Sequence, residues 1–189
     1  VKYKDLNGDN KITYGKETLE DHGDLKRIGN TLPNFEYGFT LGLTYKGFDF
    51  STFFQGVGSR DVWAVGQVGI PGYMPSEGWL AHQMDYWTPE NTGAKYPRIL
   101  NKDDGTHNYQ QSDYWMINAG YFRMKNLQIG YTIPREILRP AGFDRVRIYF
   151  SANNLFTVSD FVPGMDPESD KSVSYPFART YSFGLNVQF

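Results

Sequence analysis

The chain has 189 residues, a formal net charge of −2 and no cysteine. The balanced charge excludes the basic surplus by which proteins bind nucleic acid, so no nucleic-acid partner is expected. Aromatic residues make up 17% of the chain, which is more typical of membrane strands with aromatic girdles than of a compact soluble core. There is no initiating Met and no signal sequence, so Val1 is not expected to be the natural start.

The first predicted feature, residues 1–34, is a loop with an EF-hand-like calcium motif. Asp5, Asn7 and Asp9 stand at positions 1, 3 and 5 of such a loop, and Lys11 supplies the position-7 carbonyl. Alternate residues of a tight loop can converge the six to eight oxygens that calcium prefers. The motif therefore predicts a Ca²⁺ site, while no organic cofactor is expected.

The motif departs from the EF-hand pattern at two positions. Asn10 replaces the usual Gly at position 6, and Lys16 replaces the acid at position 12. A later acid would have to close the site, and Glu17, Asp21 and Asp24 are the candidates. The alternative is an Asx-rich turn that binds no metal.

Five segments alternate between apolar and small or polar residues, as strands with one apolar face do. They are Phe35–Lys46, Phe48–Gly56, Tyr121–Ile133, Arg145–Phe156 and Tyr181–Phe189. Each is about the 9–11 residues that a tilted strand needs to cross a bilayer. Charged residues are expected on the polar rows, and Phe53 breaks the pattern. The sequence predicts an all-β, antiparallel transmembrane β-barrel segment over residues 35–189.

The last of these strands has the most regular alternation. Its apolar row consists of Tyr181, Phe183, Leu185, Val187 and Phe189. Small or polar residues lie between them, as on the lumenal side of a barrel strand.

The connections between these segments alternate in length. If the last strand ends on the periplasmic side, Lys46-Gly47 and Pro134–Asp144 are short periplasmic turns, while Gly58–Asn118 and Ser159–Tyr175 are long extracellular loops. Five strands cannot close, and open edges are not tolerated in lipid. The chain is therefore expected to be the carboxy-terminal part of a larger barrel, or less readily one of several copies that close a barrel together.

The long loop 58–118 is rich in aromatic residues interleaved with Asp, Asn and Gln. Those considered as contacts to a substrate or partner are Trp63, Tyr73, Trp79, Tyr86 and Trp87. Aromatic faces can stack on sugars, but the same residues can also hold a long loop to its neighbours or contact another protein. Structural or partner contact is the favoured interpretation, and substrate specificity would lie in Gly66–Met84.

Other chemistry-bearing residues give no sign of an enzyme. The cations inside the strands, expected to pair with acids in the lumen, are Arg123, Lys125, Arg145 and Arg147. The histidines lie in loops without catalytic or zinc spacing, at His22, His82 and His107. No nucleophile motif or phosphate-binding glycine loop is present in the sequence.

Ordered blocks along the chain carry a resemblance to a known family. They include Asp5-Leu-Asn-Gly-Asp, Ile28-Gly-Asn, Tyr37-Gly-Phe-Thr-Leu-Gly-Leu-Thr-Tyr-Lys-Gly-Phe-Asp, Phe53-Phe-Gln-Gly, Tyr86-Trp-Thr-Pro-Glu-Asn, Tyr121-Phe-Arg-Met-Lys-Asn-Leu-Gln-Ile-Gly-Tyr, Asn153-Asn-Leu-Phe-Thr and Ala178-Arg-Thr-Tyr-Ser-Phe-Gly-Leu-Asn-Val. Together they closely resemble the end of SusC/RagA-type TonB-linked outer-membrane transporters, over essentially the whole chain.

The resemblance implies a barrel of about 22 strands in the Gram-negative outer membrane. It further implies import of oligosaccharides or peptides with a SusD-like surface lipoprotein, energised by TonB through an N-terminal region that this sequence does not include. In that family a terminal aromatic such as Phe189 is an assembly signal, and loops of this kind close on an Asp before Ile-Gly, which favours Asp24. The recurrence of Trp87-Thr-Pro-Glu-Asn favours a scaffolding role for it. An alternative is a secreted calcium-binding β-sandwich that binds glycans, with polar exposed surfaces.

Overall fold

The computed structural model describes residues 2–63, 66–73, 78–100, 106–169 and 177–189. They form two compact units. The strand unit comprises residues 32–60, 118–169 and 177–189, and the loop unit comprises residues 2–31 and the described part of 61–117. The predicted boundary at 34/35 remains a prediction, although residues 2–31 group with the long loop instead of standing alone. Parts of the predicted loops, residues 64–65, 74–77, 101–105 and 170–175, lie outside the described residues.

The strand unit is built on one antiparallel five-stranded sheet. Its members are β1 (Glu36–Tyr45), β2 (Phe48–Val57), β5 (Tyr121–Thr132), β6 (Arg145–Val158) and β7 (Thr180–Gln188), side by side in that order. Their ends fall within two residues of the five alternating segments predicted from the sequence. The all-β, antiparallel prediction is confirmed, whereas closure into a barrel of about 22 strands lies beyond these residues.

The connection between β1 and β2 is a two-residue hairpin. Lys46 and Gly47 both have positive φ, +46° and +87°. Two such residues make a type I′ turn, whose twist matches that of the flanking strands. Because Gly47 has no Cβ, it also approaches the carbonyl oxygen of Thr132 closely. Between β5 and β6, a four-residue helix α1 (Arg135–Leu138) occupies the predicted turn.

The register divides the sheet into an apolar face and a polar face. One row across all five strands consists of Leu43, Phe50, Ile129, Phe150 and Phe183. The neighbouring row, on the opposite side, consists of Gly42, Ser51, Gln128, Ser151 and Ser182. Since side chains alternate across a strand, the apolar and polar rows continue on their own sides along most of the sheet.

A β-bulge interrupts the alternation in β5. The pairing of β5 with β2 passes from Asn126 to Met124 and leaves Lys125 without a direct partner in that ladder. The pairing with β6 shifts at the same place, where Asn154 has φ +52°. Counting back from the apolar Leu127 by strict alternation would place Arg123 on the apolar face. The extra residue reverses this, so Arg123 lies on the polar face.

The loop unit has a small core of its own. A two-stranded sheet joins β3 (Asp61–Trp63) to β4 (Met116–Asn118), and short 3₁₀ turns lie at Ala81–Gln83, Thr106–Tyr109 and Asp113–Trp115. The buried cluster consists of Ile70, Tyr96, Tyr109 and Trp115, with Trp63, Tyr73 and Tyr86 packed against it. The long loop therefore folds around its own aromatics, because those side chains bury more apolar surface than a solvated loop would.

No helix within the described ranges is long and apolar enough to cross a membrane.

Candidate functional site

The apolar face of the sheet is exposed. Leu43 is 67% exposed, Ile129 44% and Phe183 84%. The same face carries stacked aromatics, including Phe39 on Phe54 with ring centroids 4.9 Å apart, and Phe54 on Phe122 at 5.2 Å. A soluble monomer seldom exposes a contiguous apolar surface of this kind, so this face marks an interaction site.

This exposure contradicts the β-sandwich alternative. A sandwich buries the inward rows of its two sheets against each other and exposes polar residues. Here Phe39, Leu41 and Leu185 are exposed and Val187 is only half-buried. Among the described residues, no second sheet covers them.

The polar face carries an ion pair that crosses a glycine. The Arg147 guanidinium donates to the Asp49 carboxylate, with Nε 2.9 Å from Oδ2, and Arg147 also lies 3.3 Å from the Gln128 side-chain oxygen. These groups lie directly over Gly130, where a Cβ would collide with both Arg147 and Asp49. The missing Cβ at Gly130 therefore leaves room for the pair above it, and the backbone angle there is not unusual.

A second, deeply buried charge cluster lies where β5 begins. Arg123 is 2% exposed, and its guanidinium is 2.8 Å from Asp166 and 3.3 Å from Glu168. Lys125 lies 2.7 Å from Glu168, and the Tyr121 hydroxyl donates to the same carboxylate at 2.6 Å. Both acids belong to the connection between β6 and β7. The cluster thus ties that connection to the polar face.

Asp166 is held ionised within this cluster. Burial opposes its charge, but the hydrogen bond from Arg123, the amide of Glu168 and the positive charge of Arg123 outweigh that effect and lower its pKa from the usual value. The carboxylate therefore keeps its charge throughout the neutral range.

The predicted calcium motif folds as a compact loop closed by its own amides. Asp5 accepts hydrogen bonds from the amides of Gly8 (2.6 Å) and Asn10 (2.8 Å), and Asp9 accepts one from Lys11 at 2.8 Å. The Asn7 side-chain oxygen accepts one from the Asp9 amide at 3.0 Å. Asn10 has φ +62°, which Asn tolerates in place of the usual Gly.

Asp24 is the later acid that reaches this motif. Its two carboxylate oxygens accept the amides of Leu6 at 2.6 Å and Thr13 at 2.8 Å, which brackets the motif. The hydrogen bonds from Thr13 and then Leu6 lower the pKa of Asp24. Asp21, one of the rivals, instead pairs with Lys16 at 3.9 Å. Within the described part of the chain, no three Asp, Glu, His or Cys side chains lie close enough together to hold a metal ion.

The aromatic candidates of the long loop fall into two groups. Trp63, Tyr73 and Tyr86 pack against the buried cluster. Trp79 and Trp87 remain exposed at 45% and 37%. The first group stabilises the loop, and the second presents indole surface to the outside.

Phenols of the loop unit act as neutral donors. Burial raises the pKa of Tyr96, Tyr109 and Tyr114. The hydroxyl of Tyr109 bonds to Leu100 and that of Tyr114 donates to the Lys95 carbonyl at 2.7 Å, so these tyrosines fasten the backbone of the loop.

Three of the four strand cations pair with acids, as the sequence interpretation expected. Arg123, Lys125 and Arg147 do so, whereas Arg145 has no salt bridge to a described residue. Of the histidines, His82 lies 3.0 Å from the Val68 carbonyl oxygen and so serves the loop backbone.

Sequence reasoning missed the partners Asp166 and Glu168. They lie 43 residues from Arg123 and Lys125, in a segment without periodicity, and nothing in their spacing points to β5. The only available signal was the presence of two cations so close together at the start of an otherwise uncharged strand.

Comparison with known proteins places this geometry in a family. The TonB-dependent receptor P3 of Formosa agariphila is 30% identical over 99% of this chain, which corresponds to 19% of the receptor. The TonB-dependent receptor SusC of Bacteroides thetaiotaomicron is 32% identical over 41% of this chain and 8% of SusC. The chain belongs to the TonB-dependent receptors of the SusC/RagA type. No model of a protein family matches the chain.

The fold agrees with this membership. The structure of the RagAB peptide importer in its closed-closed state superimposes with a TM-score of 0.67, at 23% identity, over 89% of this chain and 18% of that one. TonB-dependent receptors of this type are outer-membrane β-barrel proteins that act in transport. Similarity to them favours a transporter over an enzyme. The chain spans about a fifth of the length of the curated relatives that it matches.

Proposed function

We propose that this chain is the carboxy-terminal barrel portion of a TonB-dependent transporter that imports oligosaccharides or peptides across the outer membrane. The observation that carries the proposal is the exposed apolar face, which runs unbroken through the row from Leu43 to Phe183. A barrel strand presents apolar side chains to lipid and small or polar ones to the lumen. The apolar face contacts lipid and the polar face lines the passage.

The open sides of the sheet support the same arrangement. Among the residues that the structure describes, β1 and β7 each pair with one neighbour only, so each leaves a row of backbone donors and acceptors on its outer side. Such groups must be paired within a bilayer. The remaining strands of a larger barrel supply those partners.

The relatives support a proposal for the partners. SusC resembles this chain in sequence, and the RagAB peptide importer resembles it in fold. We propose a SusD-like surface lipoprotein over the extracellular loops and coupling to TonB. Trp79 and Trp87, exposed on the loop unit, are the proposed contacts to substrate or lipoprotein.

The lipid assignment can be tested by labelling single cysteines in the intact receptor. This chain has no cysteine of its own. Leu43→Cys and Leu185→Cys should carry a polarity-sensitive fluorophore that emits at short wavelength and is quenched by lipid-soluble nitroxides. The neighbours Thr44→Cys and Asn186→Cys, on the polar face, are the matched controls and should be quenched by aqueous iodide. Equal aqueous quenching at all four positions would refute lipid contact.

We propose a second, smaller function for the loop at residues 5–24, which is to bind calcium. The donors would be the side chains of Asp5, Asn7, Asp9 and Asp24 with the carbonyl of Lys11. The support is the position of Asp24, whose carboxylate spans Leu6 and Thr13 at both ends of the motif. On binding, these oxygens would exchange amide donors for the cation, which would tie the loop together.

Terbium luminescence of the intact receptor, sensitised by nearby Tyr14, tests this proposal. Asp24→Asn should abolish the calcium-competed signal, while Asp21→Asn, at the rival acid, should leave it unchanged. An unchanged signal in Asp24→Asn, or no competition by calcium, would leave the motif as a metal-free turn.

A further inference from the structure

The connection between β6 and β7 contains a segment, Ser159–Ser169, that we call the strap. Its first part is anchored by apolar side chains, because Phe161 and Val162 are each only 7% exposed. The Ser159 hydroxyl donates to the Gly120 carbonyl oxygen at 2.8 Å. The strap is therefore held to the sheet before it reaches its acidic residues.

The tip of the strap, Asp166-Pro167-Glu168, is clamped by three cations. Arg123 pairs with both acids, and Lys125 pairs with Glu168. Arg60, which follows the end of β2, donates to the Pro167 carbonyl oxygen at 2.8 Å. Three consecutive residues are thus each held by a positive charge.

The clamp is also closed within the strap and covered by an aromatic ring. The Asp166 carboxylate accepts the amide of Glu168 at 3.0 Å, and the Asp166 carbonyl accepts the amide of Ser169 at 2.9 Å. Arg123 and Lys125 lie 5.4 Å and 5.0 Å from the ring centre of Phe177. Charge pairs shielded from water in this way are far less screened than surface pairs.

The β-bulge decides on which side of the sheet the strap is held. Because Lys125 is an extra residue, Tyr121 and Arg123 lie on the polar face, opposite Phe122, which stacks on Phe54 of the apolar face. A strap bound to Arg123 must therefore lie on the polar face. It cannot extend freely beyond the strand ends.

We propose that the strap is an inward-folded latch, with Asp166-Pro167-Glu168 as its catch and Arg60, Arg123 and Lys125 as its receiver. If the polar face lines the passage, which rests on the function proposed above, the latched strap narrows the mouth of the barrel beside β5. Release of the catch would uncover three cations and the ring of Phe177 at that mouth.

The test measures the position of the strap in the purified intact receptor. Spin labels at Pro163→Cys, exposed on the strap, and Asn186→Cys, at the opposite end of the sheet, should lie on the order of 35 Å apart from strand rise alone. Double electron–electron resonance should give one narrow distance in the parent. Arg123→Gln should replace it with a broad distribution, and Glu168→Gln, which keeps the pair between Arg123 and Asp166, should give partial broadening.

Arg135→Gln is the matched control. Arg135 and Asp144 also form a 2.8 Å pair, but that pair is exposed and lies away from the strap. The control should retain the narrow distance.

A narrow, unshifted distance in both Arg123→Gln and Glu168→Gln would overturn the latch. If Arg123→Gln fails to fold, Glu168→Gln alone decides, because it removes one acceptor without leaving an empty space. The distance between the two spin labels does not depend on transport. The lipid-quenching test of the proposed function and this test of the latch can therefore fail independently of each other.

Discussion

At the scale of single residues, glycines and buried charges set the polar face. Gly130 and Gly42 are both strand glycines on that face, and neither has positive φ. Their surroundings differ: a Cβ at Gly130 would enter the space of Arg147 and Asp49, whereas at Gly42 the nearest heavy atom is 3.9 Å away. Ala is therefore expected to be harmful at one position and harmless at the other.

We expect Gly130→Ala to destabilise the receptor by about 1–3 kcal/mol, which is typical for overpacking. Gly42→Ala should be neutral within about 0.5 kcal/mol. Unfolding in urea from lipid vesicles measures both. Equal stability of the two variants would show that the Arg147–Asp49 pair moves aside without loss.

The calcium-motif loop should also depend on pH through Asp24. Its folded-state pKa is lowered by the amides of Thr13 and Leu6, so its ionised form favours the closed loop. That contribution is fully present above the unfolded-state pKa of about 4 and is lost as pH falls through the lower folded-state value. Limited proteolysis of residues 5–24 without calcium should accelerate below about pH 4. Asp24→Asn should already be cleaved quickly at pH 7, and a flat pH profile in the parent would contradict the assignment.

At the scale of elements, the bulge in β5 matters more than any side chain near it. Without the bulge, this sequence would alternate strictly through Lys125 and turn Tyr121 and Arg123 toward the apolar face. Deletion of Lys125 alone removes the extra residue and keeps both on the polar face, whereas deletion of Lys125 together with Asn126 would turn them toward the apolar face. Charge on a lipid-facing position is strongly unfavourable.

We expect deletion of both Lys125 and Asn126 to prevent assembly, because it would turn Arg123 toward lipid, while deletion of Lys125 alone keeps Arg123 on the polar face and assembles. The fraction of receptor that migrates as a folded barrel on an unheated gel measures this. Assembly of the double-deletion variant to parental levels would mean that the register can adapt elsewhere.

The elements differ in how far the sequence could predict them. The five long strands were predictable because each carries its own period of two, visible within about ten residues. The bulge was not, because one extra residue leaves both halves of β5 alternating. The core around Ile70 and Trp115 was hidden, since its members come from segments without periodicity. Asp24 could be chosen over Asp21 only through the resemblance to the family.

At the scale of the whole molecule, the sheet is amphipathic across its full width. Phe150 lies in the central apolar row and Ser151, its neighbour in sequence, in the central polar row. The bilayer contacts only one of these rows in the proposed function. The two positions differ mainly in the medium that they face.

We expect Phe150→Arg to lower the free energy of unfolding in lipid by about 2–4 kcal/mol, because charge near the bilayer midplane is destabilising by that amount. Ser151→Arg should change it by less than about 1 kcal/mol. Chemical unfolding from vesicles measures the difference, and equal losses would argue that both rows face water.

The pairing of β2 with β5 in the sheet has a consequence for the rate of folding. β1–β2 is a hairpin and β5–β6–β7 follow one another in sequence, but residues 58–120 separate β2 from β5. The β1–β2 pair and the β5–β6–β7 group can therefore each form quickly by local pairing. The pairing of β2 with β5 is slower, because it requires closure of a long chain segment. The entropic cost of closing a loop grows only with the logarithm of its length. Doubling the length of this segment would therefore raise the free-energy barrier to pairing β2 with β5 by about 0.6 kcal/mol. The connection can consequently diversify among relatives with little penalty to assembly.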